Sequence, residues 1–121
     1  MFNFIFHSHF EKQAVSLKRR FPHFEAGLES FKMICEIHFD LINPKQVIAP
    51  AKPHRVMCFG SVTIWKIELA VKNVRSNQCP RVWFAIQGAT GAFLCVATHI
   101  DNYDDNFMNR EAETLVGSIF N

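Results

Sequence analysis

The stretch from Val62 to Ile86, VTIWKIELAVKNVRSNQCPRVWFAI, limits the fold more than any other part of the chain. In its first half Thr63, Trp65, Ile67, Leu69 and Val71 alternate with Ile64, Lys66, Glu68, Ala70 and Lys72. A period of two is that of a strand with one buried face. The second half repeats it, with Val82, Phe84 and Ile86 set against Arg81, Trp83 and Ala85. Two such runs are expected to pair antiparallel, and the polar connector from Lys72 to Pro80 is too long for a two-residue turn. Pairing places Lys66 and Arg81 together on the face turned away from the core. The expectation is one apolar face and one face carrying two cations.

The flanking segments read as helices and further strands. MFNFIF is a first strand, too short for a membrane span and without the basic start of a signal peptide. Ser8 and Glu11 have the spacing of a capping box, and Phe10, Ala14, Leu17 and Phe21 recur at helical intervals, which predicts a helix from Ser8 to Arg20. Beyond Pro22 a second stripe of Phe24, Leu28, Phe31 and Cys35 is widened by Met33, Ile34 and Ile37, and Asn43-Pro44 stops it. Gly27 inside that helix costs about 1 kcal/mol relative to Ala, which a broad apolar face offsets. Pro44 to Pro53 is a loop, and Arg55 to Phe59 a short strand broken by Gly60-Ser61. After Ile86, a turn through Gly88 and Gly91 leads to a buried strand from Ala92 to Thr98. Asp104, Asp105 or Asn106 then caps a terminal helix with Phe107, Ala112, Leu115, Val116 and Ile119 inward. The fold class is α+β: an N-terminal strand and helical hairpin on a mainly antiparallel sheet, with a C-terminal helix.

Length and composition fit a single domain over residues 1–121, since 121 residues with 49% apolar side chains and 13 Phe suffice for one core. A net charge of +2 does not by itself mark a nucleic-acid binder, so the distribution of charge over the faces matters more. Cys35, Cys58, Cys79 and Cys95 lack the paired short spacing of a zinc site and read as reduced thiols of a cytoplasmic protein.

The segments Trp65-Lys66-Ile67 and Arg81-Val82-Trp83, in the order strand, helical hairpin, loop and strands, resemble the RelE/ParE superfamily of toxins from bacterial toxin–antitoxin modules. The resemblance covers most of the chain. It implies a RelE-like mRNA endonuclease that works on the ribosome without metal or cofactor and is held by a cognate antitoxin. The ParE branch, on the same fold, instead inhibits DNA gyrase. In the RelE branch basic residues position the RNA and stabilise the scissile phosphate while the ribose 2′-OH attacks it. Lys66 and Arg81 match the first lysine and the arginine of that pattern. Glu68 stands where RelE members place a second lysine, and a carboxylate base is used in the YoeB branch. His99 and Tyr103 are the nearest equivalents of a terminal basic residue and tyrosine. Lys72 and Arg75 become phosphate-positioning residues if RNA is bound.

Each of these residues has a plainer reading. Lys66 is then a solvated strand lysine, Arg81 an ion pair with Glu68, and His99 a surface residue at a strand end. Tyr103 stacks on a base or closes a loop onto the terminal helix. Asp101, Asp104 and Asp105 serve helix capping rather than a divalent ion, and His7 with His9 has a spacing that suits either a metal or the start of a helix. A non-catalytic protein on the same fold, a gyrase inhibitor or a relic that binds only its antitoxin, is the alternative to the nuclease. An unrelated small α+β ligand-binding domain is the third.

Overall fold

Residues 2–46, 48, 54–98 and 103–120 are described by the computed structural model. Along the chain they form β1 (Asn3–Phe6), α1 (Ser8–Arg20), α2 (Phe24–His38), β2 (His54–Phe59), β3 (Val62–Glu68), β4 (Arg81–Gln87), β5 (Thr90–Ala97) and α3 (Asp105–Val116). The strands make one sheet in the order β1-β5-β4-β3-β2. β1 runs parallel to β5, and every other pair is antiparallel. The α+β layout expected from the sequence is the one observed.

The helical stripe of α1 is buried through Phe10, Ala14 and Leu17, and that of α2 through Phe24, Leu28, Phe31 and Cys35. Both helices lie over Ile67, Val82, Phe84, Ile86, Phe93 and Val96 of the sheet and over Leu69 just beyond β3. Phe93 is the hub of an aromatic group, with ring centroids 5.0 Å from Phe6, 5.5 Å from Phe10 and 5.9 Å from Phe4. Gly27 does more than dilute helix propensity: a Cβ there would lie 2.8 Å from the Ala70 carbonyl oxygen, so glycine lets α2 approach the backbone beyond β3.

Three local expectations are corrected. The cap of α1 is His7, whose Nδ1 accepts from the His9 backbone N–H at 3.0 Å, and Ser8 is already helical. An imidazole nitrogen one residue earlier meets the His9 N–H, and the Glu11 N–H that the serine hydroxyl was expected to meet goes to the His7 carbonyl instead. α2 ends at His38, well short of Asn43-Pro44, and Met33, Ile34 and Ile37 are exposed rather than widening its buried stripe. In α3 the residue turned inward is Met108, with Ala112 and Val116, while Phe107 is exposed. Asp104 caps the helix, accepting from the N–H groups of Asn106 and Phe107.

The largest correction concerns the second face of the sheet. It is not open: α3 lies across it and encloses Val62, Ile64, Trp83, Ala85, Ala92, Leu94, Cys95 and Ala97. A bulge shifts the β4–β5 register between the Trp83–Cys95 and Phe84–Phe93 pairs. The extra residue on β5 is Leu94, so Leu94 and Cys95 both join the α3 side while Phe93 and Val96 stay with α1 and α2. Both faces of the central strands are therefore core, which explains why β4 reads as a nearly unbroken apolar run.

Candidate functional site

Lys66 and Arg81 do share a face. In the β3–β4 ladder Lys66 stands opposite Trp83 and Glu68 opposite Arg81, so period-two alternation sends all four side chains toward α3. The first turn of α3 closes over them. Lys66 Nζ donates a short hydrogen bond to Asp105 Oδ2, and an Arg81 guanidinium nitrogen lies 3.9 Å from Asp105 Oδ1. One carboxylate thus stands between two cations that come from adjacent strands. The side chains of Lys66, Arg81 and Asp105 are 15%, 27% and 44% exposed, so the group opens to solvent on the helix side and is shielded on the sheet side.

Asp105 answers only part of this environment. Its Oδ1 is buried and has no hydrogen-bond partner among the described residues, the Arg81 contact being too long for one. Because Asp104 already caps α3, the Asp105 carboxylate is released to turn back onto the sheet.

The wall of the site is aromatic. Trp83 is fully buried, donates from Nε1 to Asn109 Oδ1 at 2.8 Å, and meets Tyr103 edge to face at 5.7 Å. Burial pushes the Tyr103 phenol above its ordinary pKa; the Arg81 cation opposes that shift, and the Asp105 and Glu68 carboxylates add to it. Tyr103 therefore lies within the electrostatic reach of Arg81, Asp105 and Glu68 and holds its proton at neutral pH.

The expected residues thus divide into three groups. Lys66, Glu68, Arg81 and Tyr103 come together beneath the start of α3. His99 and Asp101 lie outside the described residues. Lys72 and Arg75 are exposed in the connector, where with Arg20 and His23 they line a separate cavity of about 450 Å³ beside the turn between α1 and α2. The ion pair expected between Arg81 and Glu68 is replaced at Arg81 by Asp105, which the sequence offered as a helix cap or, less simply, as part of a cation site. The missed signal was the Asp104-Asp105 doublet, in which one carboxylate caps and the other is spare.

The histidines serve α3 from its other side. His7 Nε2 lies 3.0 Å from Ser118 Oγ, and His9 Nε2 approaches Glu111 Oε1 to 2.5 Å without hydrogen-bond alignment. Among the described residues no group of three or more His, Cys, Asp or Glu could hold a metal ion, and no helix is long and apolar enough to cross a membrane. No protein-family model, curated protein or solved structure matches this chain.

Proposed function

We propose that the chain is a RelE-like toxin whose site under α3 cleaves RNA. The observation that carries this reading is the convergence of Lys66 and Arg81 on a single carboxylate, because a place where two cations share one anion suits the non-bridging oxygens of a phosphodiester. Glu68, opposite Arg81, takes the proton of the ribose 2′-OH. The 2′-oxygen then bonds to phosphorus while the P–O5′ bond breaks. Lys66 and Arg81 neutralise charge on the phosphorane oxygens. Tyr103, kept protonated by its burial, donates to the departing 5′-oxygen, leaving a 2′,3′-cyclic phosphate and a 5′-hydroxyl. His99 is the alternative acid. Lys72 and Arg75 hold flanking phosphates of the message.

In this reading the protein acts in the cytoplasm on mRNA at the ribosome, needs no metal, and is restrained by a cognate antitoxin. A second reading has a specific observation behind it: Asp105 and Glu68 offset both cations, as suits a non-catalytic ParE-like gyrase inhibitor or an antitoxin-binding relic on the same fold.

Induced expression of the wild type beside the Lys66→Ala/Arg81→Ala double variant separates the two. The nuclease reading expects growth arrest with new mRNA 5′ ends inside translated messages, both abolished in the double variant. Arrest with intact mRNA and inhibited supercoiling would transfer the function to gyrase.

A further inference from the structure

We infer that Asp105 is a displaceable self-ligand: its carboxylate fills the oxyanion position between Lys66 and Arg81, and RNA phosphate must expel it to bind. The inference rests on the phosphodiester reading of that pair, and three observations carry it. The carboxylate bridges cations from two strands, as a phosphate bound there would. It fills the position incompletely, since Oδ1 is buried without a hydrogen-bond partner among the described residues and Arg81 stays 3.9 Å away. A tetrahedral phosphoryl group, with more acceptor oxygens spread more widely, can engage both cations at hydrogen-bond distance. Finally, α3 does not need this carboxylate for its own start, because Asp104 makes both capping hydrogen bonds.

Displacement is a modest step in energy. Lys66 is largely shielded but Asp105 is nearly half exposed, so the pair is nearer to a surface ion pair than to a buried one. The carboxylate can swing into water while the helix stays capped. Asp105 then sets a threshold: weak or monovalent anions leave it in place, and a polyanion held elsewhere on the surface removes it.

The test is fluorescence anisotropy with an end-labelled single-stranded RNA, comparing the wild type with Asp105→Asn, with Glu113→Gln, and with Asp105→Asn/Lys66→Ala. Glu113 is exposed on the same helix, so its variant makes the same change in net charge away from the site. Asp105→Asn should bind roughly two- to fivefold tighter than the wild type, more than Glu113→Gln does, and the gain should vanish when Lys66 is also removed. Asp105→Ser replaces Asn if circular dichroism shows the first variant misfolded, since Asp104 remains as the cap in both. A folded Asp105 variant that binds no tighter than Glu113→Gln overturns the inference and leaves Asp105 a structural ion pair. Tight binding by Asp105→Asn while the wild type cuts no message on translating ribosomes keeps the self-ligand and removes the nuclease. Cleavage by the wild type with no gain on substitution does the reverse.

Discussion

The two faces of the sheet are held in different ways. Under α1 and α2 the contact is mainly aromatic, with Phe4, Phe6, Phe10, Phe31 and Phe84 around Phe93, and its polar contacts are few: Gln13 Oε1 accepts from the Val96 N–H, and the Lys32 ammonium lies over Phe4 and Phe6. Under α3 the sheet sets four small side chains, Ala85, Ala92, Cys95 and Ala97, among Val62, Ile64, Trp83 and Leu94, and the helix replies with Met108, Ala112 and Val116. Polar contacts complete that side at three places along the helix: Asp105 on Lys66, Asn109 on Trp83, and His9 near Glu111. An aromatic cluster yields little to any single exchange of partners, whereas ion pairs and single hydrogen bonds trade readily with water and ligands. The face that stabilises the fold and the face that offers chemistry are thus opposite sides of the same strands.

Phe93→Ala is the largest test of this division. Removing the hub leaves a cavity among five rings, and the expected loss is about 3–5 kcal/mol, read as a lower urea midpoint with unchanged slope. A loss under 1 kcal/mol would mean that the aromatic face is not the anchor. Next in size is Ala112→Leu, which adds volume where α3 meets the sheet with no space to spare. The expected cost is about 1–3 kcal/mol, and it should fall locally. Hydrogen exchange should quicken in α3 while α1, α2 and β4 keep their protection. Uniform loss of protection over both faces would break the comparison, because it would make α3 part of one cooperative core.

How far the sequence could be read follows the same division. The stripes of α1 and α2 are legible because Phe10, Ala14, Leu17, Phe24, Leu28, Phe31 and Cys35 obey a helical period with nothing competing. The face under α3 is less so. Alternation in β3 correctly sends Lys66 and Glu68 away from the aromatic core, but alternation cannot say whether a face meets water or another helix. Ile64, Trp83 and Ala85 on that face, all fully buried, were the sign of a second layer. In α3 the expected Ala112, Leu115, Val116 and Ile119 do pack inward, and one position was missed, Phe107 for Met108, since large apolar side chains stand at both. The cation pair was legible from the strand motifs. Its partner was not, because the contact of Asp105 with Lys66 depends on where a helix lands rather than on spacing along the chain.

The smallest effect comes from Tyr103 and probes the boundary between the two kinds of face. Burial raises its pKa, with Asp105 and Glu68 adding to the shift and Arg81 opposing it. A phenol whose folded-state pKa lies above its unfolded value near 10 contributes stability that is fully present below that unfolded value. The contribution is lost as pH rises through the higher folded-state value. Wild type should therefore lose stability more steeply above about pH 10 than Tyr103→Phe, while lysines titrating in the same range act alike in both proteins. As the chain has one tyrosine, its phenolate absorbance reports this site directly. The midpoint should lie above the ordinary value and fall in Asp105→Asn, where one of the carboxylates that disfavour the phenolate is gone. A midpoint at the ordinary value, insensitive to Asp105, would place the ring in solvent and away from Lys66 and Arg81, and so remove it from the position that the proposed cleavage chemistry requires of its proton donor.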